Sequence, residues 1–98
     1  MYILEVLNGP LDGKTWSFER EITIGRDDTI ASACITLDRY ISRRHAQIRR
    51  EGDRLVLVDL ESRNGTQLSG LPVTLETAIL PGQRFIVGRT LLRVLRDA

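Results

Sequence analysis

Cysteine, histidine and lysine each occur once in this chain, as Cys34, His45 and Lys14. A lone cysteine closes no internal disulfide, so the fold does not depend on an oxidising compartment, and a cytoplasmic setting is expected. A lone histidine without HxH, CxxC or HExxH spacing has no partners for a metal site, so neither metal nor cofactor is expected. Aromatic residues are scarce, at 5%, and none falls in a base-stacking motif. With a formal net charge of only +1, bulk attraction to nucleic acid or to an anionic membrane is not expected either. Glu5 interrupts the apolar start Met1-Tyr2-Ile3-Leu4 almost at once, which argues against a secretory signal or a membrane-spanning segment. A helical apolar stripe is also missing from every window of a dozen residues.

What the chain does contain is period-two alternation rich in β-branched residues. Leu4 and Val6 share a face, as do Trp16 and Phe18, Ile22 and Ile24, and Ala46 and Ile48, with polar residues between them. Cys34-Ile35-Thr36-Leu37 reads as a short strand with Ile35 and Leu37 inward. Leu55-Val56-Leu57-Val58 is apolar on both faces and reads as the central strand. Short candidates follow around 66–68 and 73–75, and 84–87 pairs with 91–95 around Gly88-Arg89-Thr90. Turn chemistry separates these runs at Asn8 to Gly13, Glu51-Gly52-Asp53, Glu61 to Gly65 and Leu80-Pro81-Gly82. Ten or eleven short strands at such spacing predict an all-β fold, a sandwich of two antiparallel sheets. At 98 residues and 42% hydrophobic, the whole span 1–98 is expected to be a single domain.

Charge is distributed less evenly than its total suggests. Six arginines lie between Arg39 and Arg54 against only Glu51 and Asp53. Gly25-Arg26, Ser42-Arg43-Arg44-His45 and Ser62-Arg63-Asn64-Gly65-Thr66 each sit where one strand pattern stops or the next begins, so three loops can meet at one end of a β fold. A phosphate dianion needs a fixed guanidinium together with hydroxyl or backbone donors, and Arg26, Ser42 and Arg43 supply that set. Arg44, next to Arg43 on a chain whose successive side chains alternate, is expected to face solvent.

Three segments together resemble the signature of the forkhead-associated (FHA) domain: Ile24-Gly25-Arg26-Asp27, Ile41-Ser42-Arg43-Arg44-His45-Ala46-Gln47-Ile48 and Asp59-Leu60-Glu61-Ser62-Arg63-Asn64-Gly65-Thr66. The resemblance extends over nearly the whole chain, to Leu80-Pro81-Gly82 and Val87-Gly88. It implies a non-enzymatic module that binds phosphothreonine peptides, with Arg26 and Ser42 as principal phosphate ligands and Arg43 as a third. Asn64 would then hold the peptide backbone, His45 would brace the serine loop, and Gly25 and Gly65 would serve as scaffold positions. Arg63 departs from the threonine common at its position. It is open whether that arginine reaches the phosphate, meets an acidic peptide residue or points away. The implied partner is a threonine-phosphorylated protein, with a functional link to a Ser/Thr kinase.

Other readings of the same residues remain open. Arg26 could pair with Asp27 or Asp28, and Asn64-Gly65 could be a plain turn. The fold could also serve phosphate-independent interaction or self-association. The arginine cluster could contact a nucleic-acid backbone, although the scarcity of aromatics weighs against it. Ser42 with His45 admits a hydrolase reading, but no GxSxG elbow and no second histidine accompany them, so no enzymatic activity is expected.

Overall fold

The computed structural model describes residues 1–97, so Ala98, the last residue of the expected 1–98 span, lies outside the described residues. Among the described residues eleven strands follow one another without a helix: β1 (Tyr2–Val6), β2 (Thr15–Phe18), β3 (Glu21–Gly25), β4 (Ala33–Cys34), β5 (Ala46–Glu51), β6 (Arg54–Asp59), β7 (Thr66–Leu68), β8 (Leu71–Pro72), β9 (Glu76–Ile79), β10 (Arg84–Val87) and β11 (Thr90–Arg96). They form a six-stranded sheet in the order β2-β1-β11-β10-β7-β8 and a five-stranded sheet in the order β4-β3-β5-β6-β9. All-β architecture in two sheets is thus the fold, as the alternation predicts.

The apolar alternation becomes the layer between the sheets. Leu4, Val6, Phe85, Val87, Leu92 and Val94 from one sheet face Ile22, Ile24, Ala46, Ile48, Leu55 and Leu57 from the other, all buried. Pairing register keeps these faces aligned, because a one-residue slip would turn every apolar side chain outward. On the outer surface Glu5 stands opposite Arg93 across β1 and β11, and the arginine Nε meets the carboxylate at 2.7 Å.

Four details differ from the sequence expectation. Of the segment expected as strand 34–37 only Cys34 pairs, together with Ala33 before it, and the pair runs parallel to β3. Ile35 is buried and its N–H still reaches the Gly25 carbonyl, but the chain then turns and leaves Leu37 exposed instead of inward. The expected strand at 73–75 is a connection, since the Val73 N–H goes to Thr66, and the strand proper is β9 beyond it. β5, not β6, is the middle strand of its sheet. β6 is apolar on both faces because Val56, buried on the outer side, stands opposite Arg49, whose aliphatic stem is suited to cover it.

Topology gathers the loops. β3 ends where β5 begins, at the pair Ile24 and Ala46, and β6 ends opposite the same Ala46 at Asp59. Thr66 at the start of β7 pairs Val87 at the end of β10, and Val6 at the end of β1 pairs Leu92 near the start of β11. The connections β1–β2, β3–β4, β4–β5, β6–β7, β8–β9 and β10–β11 therefore all open at one end of the sandwich.

Candidate functional site

Close contact between the β3–β4 and β4–β5 loops begins at Gly25. A Cβ placed there would lie 2.0 Å from the Arg43 carbonyl oxygen, so only glycine lets the two backbones meet. The next residue makes use of that approach. The Arg26 N–H donates to the carbonyls of Ser42 and Arg43 at 3.1 Å each, and the Asp27 N–H reaches Arg43 at 3.3 Å. The Arg26 side chain turns along the same loop, with Nε donating to the Ile41 carbonyl at 3.0 Å. That bond holds the guanidinium and leaves its two terminal nitrogens without a protein partner among the described residues.

The third loop joins through Ser42 and His45. Ser42 Oγ accepts the Arg63 N–H at 3.0 Å, across 21 residues of sequence. His45 is completely buried; its Nδ1 accepts the Ser42 N–H at 3.0 Å and its Nε2 lies 2.9 Å from the Gly65 carbonyl. A neutral ring carrying its proton on Nε2 satisfies both partners, so His45 ties the serine loop to the Asn-Gly loop. Gly65 takes φ +81°, a left-handed conformation suited to glycine, which turns its carbonyl toward His45. Asn64 Nδ2 donates to the Tyr40 carbonyl at 2.9 Å, so this amide bridges two loops in addition to standing in a turn.

Several supporting residues were not singled out from sequence. Asp59 Oδ1 accepts the hydroxyls of Ser62 and Thr66, and the Ser62 hydroxyl in turn accepts the Gly65 N–H. Asp38 Oδ1 accepts the Tyr40 N–H, while its Oδ2 accepts the Arg89 N–H at 2.8 Å and the Thr90 hydroxyl at 2.7 Å. Arg89 lies over the Tyr40 ring, 4.0 Å from its centroid. An aspartate two residues before Tyr40 is a readable Asx-turn signal. Its reach to Arg89 and Thr90, more than fifty residues away, has no local trace.

Electrostatically the site is left cationic. Arg26, Arg43, Arg44 and Arg63 are all exposed, and none is among the ion pairs of the described residues, which join Arg49 to Glu51 and Glu76, and Arg93 to Glu5. Arg26 thus pairs with neither Asp27 nor Asp28. Asp27 instead accepts the Thr29 hydroxyl and N–H, and these bonds, chiefly, hold its carboxyl below the usual range, with Arg43 and Arg26 nearby adding to the effect.

His45 carries a pH signature. Burial, its largest influence, lowers its pKa below the ordinary 6.5, against opposing pulls from the Gly65 carbonyl, Asp59 and Asp38. The unfolded chain therefore binds a proton below about pH 6.5 that the folded chain resists, so stability is full above that pH and falls as pH drops toward the folded value. Because His45 is the only histidine, urea midpoints taken between pH 5.5 and 7.5 are expected to fall on the acid side in the native chain. They are expected to stay level in His45→Gln; parallel profiles for the two proteins would contradict this.

Comparison with known proteins agrees with this geometry. A sequence profile described as the FHA domain matches residues 22–88. No curated protein sequence matches the chain closely enough to count as a relative. Among solved structures, the FHA domain of CT664 protein from Chlamydia trachomatis superposes with a TM-score of 0.90 at 26% identity, covering 99% of this chain and 98% of that one. A domain from a structural and functional analysis of phosphothreonine-dependent FHA interactions gives 0.84 at 31% identity, covering 99% and 97%. The FhaA FHA domain, complexed with the intracellular domain of Rv3910, gives 0.82 at 30%, covering 96% and 99%. In sequence and in fold alike, this chain belongs to the FHA domain family.

Proposed function

We propose that this domain is a non-enzymatic module that binds phosphothreonine-containing peptides at the loop end of its sandwich. The observation that carries the reading is the convergence of Arg26, Ser42, Arg43, Arg63 and Asn64 from three hydrogen-bonded loops, with no carboxylate neutralising the arginines among the described residues. Arg26 offers its terminal guanidinium fork to the phosphate, since Nε is already held by Ile41. Ser42 Oγ accepts from Arg63, so its own proton is free to donate to a phosphate oxygen. Arg43 adds a third donor group. Arg63 brings further positive charge at the mouth. Asn64 keeps its side-chain carbonyl and one N–H for the peptide backbone, the other N–H being used on Tyr40.

Hydrolysis finds no support here. Both His45 nitrogens engage backbone groups, the Ser42 N–H and the Gly65 carbonyl, so the imidazole is not the base that would activate Ser42 Oγ. The ligand implies a Ser/Thr kinase upstream, and the unpaired Cys34 is compatible with a cytoplasmic meeting of the two. The 31% identical domain, drawn from work on phosphothreonine-dependent interactions, supports the choice of ligand.

Fluorescence anisotropy with matched phosphothreonine, phosphoserine and unphosphorylated peptides tests the proposal. Binding is expected to require the phosphate, and Arg26→Ala is expected to lose about 2 kcal/mol or more, roughly thirty-fold in affinity. Unchanged binding in Arg26→Ala would sink the assignment. Partner binding that survives both phosphatase treatment and Ser42→Ala would instead favour phosphate-independent interaction, for which Leu71, Leu75 and Leu80 are individually exposed apolar side chains, each at least 70% exposed.

A further inference from the structure

The five-stranded sheet ends at β9, whose outer edge has no strand beside it among the described residues. One bond tells which backbone groups that edge presents: the Asp59 N–H donates to the Leu75 carbonyl at 2.9 Å. Bonded and non-bonded pairs alternate along an antiparallel ladder, so in the register of β6 with β9 the next bonded pairs are Leu57 with Thr77 and Leu55 with Ile79. The N–H and carbonyl groups of Glu76 and Ala78 therefore point away from β6. Leu80 closes the open stretch, because its N–H donates to Gln83 Oε1 and its carbonyl accepts the Gln83 N–H.

Apolar surface flanks this edge. Leu75, just before β9, is 74% exposed, and a hollow of about 230 Å³ between β8 and β9 is lined by Leu68, Leu71, Val73 and Thr77. Edge strands are commonly blunted by a charge, a proline or a bulge. The one charge on β9, Glu76, already meets Arg49 across β6 at 3.4 Å, and Ala78 is small and exposed.

The open groups are symmetric about Thr77. Two copies of β9 laid antiparallel, Thr77 opposite Thr77, pair Glu76 with Ala78 of the second copy in both directions, and each N–H and carbonyl of these residues finds a partner. Side chains agree with that register. Threonine faces threonine, a favourable cross-strand pair, and Glu76 meets an alanine in place of a second carboxylate. Leu75 stands opposite Ile79 of the second copy, an apolar neighbour that its own chain does not give it. A register centred on Ala78 would instead bring Glu76 against Leu80, whose backbone groups are already used. We infer that β9 is a self-association edge, at which a second copy of this chain continues the five-stranded sheet through an antiparallel β9 pair centred on Thr77. A strand of four residues buries less than the roughly 1,200 Å² of a stable complex, so the dimer is reversible and concentration-dependent. Antiparallel edges point the two loop ends in opposite directions and leave both open, so this contact stands apart from the phosphothreonine reading.

Sedimentation equilibrium of the native chain from about 10 µM to about 1 mM tests it, with an average mass expected to rise toward twice the monomer value. Ala78→Glu sets a carboxylate against Glu76 of the second copy at both pairs and is expected to weaken association about fivefold, whereas Ala78→Lys sets an ammonium there and is expected to tighten it about fivefold. Net charge alone acts in the opposite sense, since the first substitution takes the chain from +1 to 0 and the second to +2. In a Cys34→Ser background, Thr77→Cys is expected to form an intermolecular disulfide in a glutathione redox buffer at least about tenfold faster than Glu76→Cys or Ala78→Cys, because only Thr77 faces its own copy. A native chain that stays monomeric throughout, which leaves the edge to a strand from another protein, overturns the inference. So do charge variants that shift association in the same direction, or equal cross-linking at the three positions.

Discussion

Gly25→Ala is expected to destabilise the domain by about 3 kcal/mol and, under the proposed function, to weaken phosphopeptide binding together with it. The backbone at Gly25 is not left-handed, so the cost arises from space alone. The added methyl would stand 2.0 Å from the Arg43 carbonyl oxygen and 2.8 Å from its carbon, and both are main-chain atoms with no rotamer to change. Moving that carbonyl stretches the bonds it accepts from Arg26 and Asp27, which set the spacing between the first two site loops. Gly9→Ala is the control: its φ of +71° carries strain, but nothing lies within 4 Å of the new Cβ. That substitution is expected to cost only about 1 kcal/mol. Urea titration with an unchanged slope measures both. Equal losses at the two positions would show that the Arg43 loop yields freely and would remove the argument.

His45→Ala is expected to cost a similar amount, about 3 kcal/mol, by a different route. Removing a completely buried ring leaves a cavity, and the Ser42 N–H and the Gly65 carbonyl, both held by that ring, lose their partner. The loss reaches the ligand surface because those two groups belong to different loops. Under the proposed function, phosphopeptide affinity is expected to drop although His45 is completely buried, and the drop should persist at temperatures where the variant is still folded. A folded His45→Ala protein with native affinity would mean that the Ser42–Arg63 and Asn64–Tyr40 bonds suffice to hold the loops.

Alternation in the chain was enough to read the all-β class, the inward faces at Leu4 and Val6, Ile22 and Ile24, and Ala46 and Ile48, and most turn positions. Such features are local: a period of two assigns faces, and Gly, Asn, Asp and Pro mark turns, wherever the strand later pairs. Pairing itself is another matter. Glu76-Thr77-Ala78-Ile79 has little strand signal of its own and becomes β9 because β6 offers a free edge, whereas the better-patterned segment at 73–75 ends as a connection. Leu37 follows the inward alternation of Ile35, yet of that run only Cys34 finds a partner strand before the chain turns out toward solvent.

The candidate site divides in the same way. Arg26, Ser42, Arg43, His45 and Asn64 were legible as chemistry in short segments, each next to a strand end. Their assembly depends on bonds that span tens of residues: Ser42 to Arg63, His45 to Gly65, Asn64 to Tyr40, and Asp38 to Arg89 and Thr90. Tyr40, Asp38 and Arg89 look like ordinary loop residues until the β10–β11 turn is brought against the β4–β5 loop. A sequence pattern records what each residue prefers within a few neighbours, whereas the meeting of these loops at one end follows from strand order, which only the packing of the two sheets against each other decides.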